Sequence, residues 1–180
     1  MSLLNIAKLN DTINEKNIIR PDLILNNVRD EIIKALNPEG AEVESKDGMD
    51  AALCSFDLGN MELEFALAYN PLWLIRNGAL TEYRPDKMPV GLHFEKEVPF
   101  TLHKLALQKG DIIYTFTDGY ADQFGGAKGK KFKYKQLGEL LLKNSSRSMK
   151  EQKDELEKRF NDWKGSLEQV DDVLIIGVRI

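Results

Sequence analysis

The reading of this chain turns on "DIIYTFTDGYADQFGG", residues 111–126. A run of strand formers stops at the pair Asp118-Gly119, and Asp122 and two more glycines follow. Two physical explanations fit a strand that ends this way. The pair closes a turn, because glycine adopts backbone conformations that other residues resist. Alternatively, the strand end holds a carboxylate rigidly at a solvent-reachable rim, as hard divalent cations require. The stretch "QVDDVLIIGV", residues 169–178, poses the same choice: Asp171 and Asp172 are either a solvated strand start or a second pair of well-held carboxylates.

Working outward, the segment before Asp111 alternates with a period of two, the mark of half-buried strands. "ALCSFDL" and "MELEFALAY" flank Gly59-Asn60, "LWLIR" and "ALTEY" flank Asn77-Gly78, and "FTLHKLAL" and "DIIYTF" flank Lys109-Gly110. Short connections of this kind predict six strands in three antiparallel hairpins. Helices are predicted at both ends. "RPDLILNNVRDEIIKALN" carries Pro21 at a first helical position and apolar residues every three or four places, after a weaker helix over Leu3 to Ile13. "NPEGAEVESKDG" is then a polar loop. Downstream, "YKQLGELLLKN" is amphipathic, and "SMKEQKDELEKRFNDWKG" opens with the capping-box pattern Ser148…Glu151 and closes at Gly165. Its Met149, Leu156, Phe160 and Trp163 share one apolar face. "VLIIGVRI" is a near-continuous apolar run and reads as a central, doubly covered strand. The class is therefore α+β, with helical layers on antiparallel sheet, and residues 1–180 read as a single domain.

Composition narrows the function. With 42% hydrophobic and 30% charged residues the chain is ordinary for a globular protein, and its net charge of −4 argues against a nucleic-acid surface. No apolar run is long enough to span a membrane, and the first residues lack the order of a signal peptide. The single cysteine, Cys54, excludes an internal disulfide, suits a reducing cytoplasm and lies in an alternating run, which predicts a buried structural thiol. His93 and His103 lack ligand-like spacing and are read as incidental.

Taken together and in order, "YTFTDGYADQF", a helical region and "EQVDDVLIIGVRI" resemble the C-terminal half of metal-dependent protein serine/threonine phosphatases. The closest branch is the bacterial one named for the sporulation stage II protein E. "DGMDAALCSFDL", "AYNPLWLIRNGAL" and "MPVGL" fall where that branch has comparable segments, so the resemblance runs from about Asp47 to Ile180. It implies an α-β-β-α fold, an antiparallel β-sandwich flanked by helices. It also implies two Mn²⁺ or Mg²⁺ ions held by aspartates around a water, which attacks the phosphorus of phosphoserine or phosphothreonine in line. On that basis Asp118 and Asp171 are the expected metal ligands. Gly119, Asp122 and Asp172 are expected at the rim, with Asp47 and Asp50 as looser candidates. No covalent enzyme intermediate is implied. The implied partners are a phosphorylated regulatory protein and an upstream sensor or regulatory domain, in cytoplasmic signal transduction.

The run "FGGAKGKKFKYK" holds three glycines and five lysines. It suits a mobile basic flap whose Lys128, Lys130 or Lys131 reaches substrate phosphate, or equally an ordinary solvated loop. The chain also departs from the family pattern. No Asp-Gly pair occurs before Asp47, whereas the family carries its first metal motif upstream, so the expectation is an N-terminally truncated, partial phosphatase-like domain. Such a domain would be weak or inactive alone, with an uncovered strand edge that favours homo-oligomers. The rival expectations are a non-catalytic phosphatase-like module that binds a phosphoprotein or partner chain, and a small α+β ligand-binding domain whose aspartates are only turns.

Overall fold

Pro21 opens the first helix of the computed structural model, which describes residues 20–36, 47–92 and 98–180. The expected helix over Leu3 to Ile13, most of the polar loop after Leu36, and His93 lie outside those residues. The described chain divides into two units, one of residues up to Pro71 with Arg84–Leu107, the other of Leu72–Tyr83 with Gln108–Ile180.

In the first unit α1 (Pro21–Leu36) lays Ile24, Leu25, Val28 and Ile32 against sheet residues. The sheet is antiparallel in the order β2 (Ala51–Asp57), β3 (Glu62–Ala68), β7 (His103–Ala106). Ala66 and Ala68, fully buried, are small enough for the helix to approach, and Met88, Val90 and Phe100 complete that core. A short pair, β1 (Gly48–Met49) with β6 (Val90–Gly91), forms a separate two-stranded sheet whose Val90 joins that core. The β2–β3 connection is longer than the two residues expected. Asp57 pairs with Glu62, and four residues turn between them, with the Asp57 carboxylate accepting from the backbone and side chain of Asn60. His103 stacks on its cross-strand partner Phe65 at 4.9 Å, a packing role. Cys54 is half-buried, and burial pushes its thiol up to about 12, so it is an inert packing group.

The second unit is a four-stranded antiparallel sheet in the order β11 (Ile175–Arg179), β8 (Ile112–Phe116), β4 (Leu72–Arg76), β5 (Ala79–Tyr83). The β4–β5 hairpin is the two-residue turn that its sequence predicts: Asn77 and Gly78 take φ of 51° and 75°, which type I′ geometry demands. After β8 come a one-turn helix, α2 (Gly119–Asp122), and a miniature hairpin of β9 (Phe124–Gly125) and β10 (Lys130–Lys131). Two longer helices follow, α3 (Tyr134–Asn144) and α4 (Met149–Lys164). The capping box forms as expected, with the Ser148 hydroxyl accepting from the Glu151 N–H and the Glu151 carboxylate accepting from the Ser148 N–H. Alternate residues of β4 and β8, namely Trp73, Ile75, Ile112, Tyr114 and Phe116, make one core with Tyr120, Phe132, Leu137, Leu141 and Phe160.

Two expectations are corrected here. The third hairpin does not form: β7 pairs with β3 in the first unit, while β8 pairs with β4 and β11 in the second. Lys109-Gly110 does turn the chain, with Gly110 at φ 93°, but non-local bonds choose the partners. Leu107 donates to the Met61 carbonyl, and the buried Asp111 carboxylate receives both Nε and Nη2 of Arg76 on β4, at 2.8 and 2.6 Å. The final strand is not central either. Among the described residues β11 has β8 as its sole neighbour, and Leu174 and Ile176 are 54% and 51% exposed. The doubly covered strands are β4 and β8. An unbroken apolar run cannot by itself distinguish the two situations, since both need one apolar face and only burial decides the other.

Burial alone pushes the Asp111 carboxyl up, but hydrogen bonds from Arg76 and the Gln108 N–H, with the Arg76 charge, outweigh it and hold the group below its ordinary 3.8. Its ionised form therefore contributes stability above that pH, and the contribution is lost as pH falls through the depressed folded value. Arg76→Ala leaves this carboxylate buried and unpaired, which should cost about 3 kcal/mol at pH 7. Unpaired burial raises the folded pKa above the unfolded one, so protonation relieves the variant, and urea denaturation should show its deficit shrinking as pH falls from 7 towards 4. A deficit that stays constant over that range would contradict this account.

Candidate metal centre

The sequence places Asp118 at the end of β8 and Asp171 just before β11, and these strands are antiparallel neighbours in the register Phe116↔Ile175. The end of one strand therefore lies beside the start of the other. Thr117 makes the junction. Its N–H donates to the Leu174 carbonyl at 3.0 Å, its hydroxyl donates to the Asp172 carbonyl at 2.8 Å, and that hydroxyl accepts from the Leu174 N–H at 3.0 Å.

Gly119 brings the two segments closer than any other residue could. A Cβ built on it would fall 2.4 Å from the Asp172 carbonyl oxygen and 3.3 Å from the Asp171 Cβ. Its φ is ordinary for a helix, so this glycine is required by close approach rather than by turn geometry. Asp118 occupies the N-cap position of α2, yet its side chain makes no capping bond. Among the described residues its exposed carboxylate has no hydrogen-bond or ion-pair partner. The Asp118 side chain is therefore not spent on closing a turn.

The neighbouring carboxylates are differently engaged. One oxygen of Asp171 accepts from the Asp172 N–H at 2.7 Å, which fixes the side chain at the rim, and the Asp171 carbonyl accepts from Gln169. Asp122 pairs with Lys131 at 2.7 Å. Asp47 and Asp50 flank β1 in the first unit, both exposed. In the second unit, then, one rim collects Asp118, Gly119, Asp171 and Asp172, with Asp122 one turn along α2.

The structure brings in two residues that the sequence reading did not single out. Thr117 is one. Gln123 is the other: fully buried, its amide donates to the Phe124 and Glu168 carbonyls at 3.0 and 2.9 Å, and its oxygen accepts from the Val170 N–H at 3.3 Å. Its backbone carbonyl accepts from the Trp163 indole at 3.1 Å. It therefore ties the approach to Asp171 onto α2 and α4. The available signal was a glutamine next to an aromatic residue and two glycines, which does not separate burial from exposure.

The donor chemistry at the rim suits a hard divalent cation, because both expected ligands offer carboxylate oxygen. The number of donors does not suffice. Among the described residues no group of three or more His, Cys, Asp or Glu side chains is arranged to hold a metal ion. A two-ion centre needs further ligands.

The family described as stage II sporulation protein E (SpoIIE) matches residues 6–180, and the chain belongs to it. Solved structures agree on the fold. The SiaA-PP2C domain of Pseudomonas aeruginosa is 23% identical and superimposes with a TM-score of 0.84 over 99% of this chain and 68% of that one. The PP2C phosphatase domain of SpoIIE from Bacillus subtilis, with a fragment of its regulatory domain, is 17% identical with a TM-score of 0.69; it covers 98% of this chain, which spans 48% of that one. The same phosphatase domain presoaked with Mn is 16% identical with a TM-score of 0.60, over 100% of this chain and 74% of that one. Curated protein sequences give no match. The fold is therefore that of a PP2C phosphatase domain, of mixed helices and antiparallel sheets.

The close approach at Gly119 is directly testable. Gly119→Ala should lower stability by about 1–3 kcal/mol through overpacking against the Asp172 backbone. It should also displace the amide resonances of residues 171–174 more than those of α3. A variant as stable as the parent, with those resonances unmoved, would mean that the two segments are not held as described.

Proposed function

We propose that this chain is part of the catalytic module of a metal-dependent protein serine/threonine phosphatase. The carrying observation is the unpartnered Asp118 carboxylate, set at a strand end beside the Asp171 segment in a chain of the SpoIIE family. In this reading residues 1–180 form one partial phosphatase-like domain, and Asp118 and Asp171 are ligands to Mn²⁺ or Mg²⁺. Gly119, Asp122 and Asp172 shape the rim. Bound cations of this kind supply a water of lowered pKa for in-line attack on phosphorus. The chain's own residues do the positioning: Thr117 clasps the two segments, Gln123 anchors the Asp171 approach, and Lys128, Lys130 and Lys131 offer charge to a phosphoprotein. That substrate is a phosphorylated regulatory protein, and a regulatory domain in the full-length protein controls access to it. Self-association through the β11 edge and a cytoplasmic setting complete the proposal. Among the described residues no helix is long and apolar enough to cross a membrane.

Two aspartates cannot fix two ions, so activity of these residues alone should be weak. The same shortage of ligands favours a second reading, a non-catalytic module that retains the fold and binds a phosphoprotein or a partner chain. A chromogenic phosphate ester in excess Mn²⁺ separates the two. The proposal expects low turnover that stops with chelator and falls to background in Asp118→Asn and in Asp171→Asn. No turnover above background at any Mn²⁺ concentration would favour the binding module. Robust turnover that survives chelator or Asp118→Asn would overturn the assignment of the rim.

A further inference from the structure

The lysine-rich segment after α2 builds a concave surface. β9 and β10 pair in the register Gly125↔Lys130, and the turn between them uses Gly126 and Gly129 at φ of 66° and 56°. The hairpin is pinned to the end of α4. The Gly126 N–H donates to the Trp163 carbonyl at 2.8 Å, and a Cβ on Gly125 would fall 1.8 Å from that same oxygen. A pocket of about 300 Å³ is lined by Lys128, Lys130, Lys131, Lys133, Gln136 and Trp163.

The charges of this pocket are not balanced. Lys131 is paired with Asp122 at 2.7 Å, but Lys128, Lys130 and Lys133 have no carboxylate partner among the described residues. Three lysines without a carboxylate partner among the described residues thus line one pocket in a chain whose net charge is −4. A local excess of lysines gives the pocket a positive potential that favours an anion. Lys133 sharpens the point. It is the N-cap of α3, where the helix dipole is already positive, and α3 has neither a side-chain cap nor an acidic residue in its first turn. Its backbone sits at φ 73° and ψ 147°, at the border of a region that is essentially glycine's own, and strained residues of this kind cluster at ligand sites. Trp163 supplies an apolar wall beside the cations.

We infer that this pocket is a phosphoryl-binding subsite, which takes a second phosphate of a phosphorylated protein segment, distinct from the group hydrolysed. Three cations favour a dianion over a carboxylate, and an apolar wall suits an organic phosphate. The Asp122–Lys131 ion pair forms the border, with Asp122 on the acidic rim and Lys131 on the basic pocket. The source of the phosphate rests on the phosphatase reading; the binding of phosphate in the pocket does not.

Trp163 reports on the pocket, because the other tryptophan, Trp73, is buried at 4% exposure. Tryptophan emission should be followed as inorganic phosphate is added to the full chain at constant ionic strength with chelator present, so that no metal contributes. A saturable change is expected, at least tenfold weaker in Lys130→Gln/Lys133→Gly and unaltered in Asp118→Asn. Both lysines are exposed and the glycine suits the backbone, so thermal unfolding of the double variant should match or exceed the parent. No saturable change, an equal change with chloride, or an unweakened double variant would overturn the subsite. In the second arm a doubly phosphorylated serine peptide should bind more tightly than its singly phosphorylated form to the parent but not to the double variant. If both peptides bind the parent equally while inorganic phosphate still saturates, the pocket serves free phosphate and its assignment to a protein segment is wrong. Absence of Mn²⁺-dependent turnover would strike the phosphatase reading alone and leave the phosphate titration unchanged.

Discussion

Three hydrogen bonds at Thr117, two through its hydroxyl and one through its N–H, join the end of β8 to the residues that precede β11. Everything proposed for the rim depends on that clasp. It continues the antiparallel ladder one residue past the strands, and so it delivers Asp118 and Asp171 to the same end of the sheet. Gly119 then allows the two backbones to touch where any side chain would force them apart. The rest of the second unit serves the junction: apolar residues of β4 and β8 hold the sheet to α3 and α4, and Arg76 on Asp111 fixes the start of β8.

The sign of charge changes sharply along the chain from Asp118 to Lys135. Carboxylates gather at the rim, and lysines line the pocket that follows, with one ion pair between them. Neither side is neutralised by the described chain. In the proposed reading a phosphorylated protein with metal at the rim satisfies both at once, since cations would compensate the aspartates and phosphate the lysines. A local excess of one sign of charge favours ligands of the other sign, which is the electrostatic reason to test for a cation at the rim and an anion in the pocket.

How far the sequence was legible follows from the range of the interactions involved. The Asn77-Gly78 turn, the capping box at Ser148 and the Pro21 helix start are decided by residues within one turn of each other, and all three stand where their sequences put them. The partners of β7 and β8 are decided by Arg76–Asp111 and Leu107–Met61, contacts across 35 and 46 residues, so the local turn signal at Lys109-Gly110 predicts a hairpin that the two strands do not form. The apolar run of β11 carried no information on whether one face or two would be covered. At the rim, spacing and resemblance single out Asp118 and Asp171, and the register sets their segments side by side, whereas Thr117 and Gln123 carry no local signal. Their roles consist largely of bonds to residues 40 to 57 positions away, and a buried glutamine looks like an exposed one in a sequence.

The central claim is that Asp118 and Asp171 form one edge of a divalent-cation site, and paramagnetic Mn²⁺ tests it without requiring tight binding or turnover. Backbone amide signals of the ¹⁵N-labelled chain should be recorded as Mn²⁺ is added in small amounts. Broadening is expected first at residues 117–119 and 171–174, and should be lost from both segments together in Asp118→Asn. Broadening centred on other acidic residues, or unchanged by Asp118→Asn, would contradict the account.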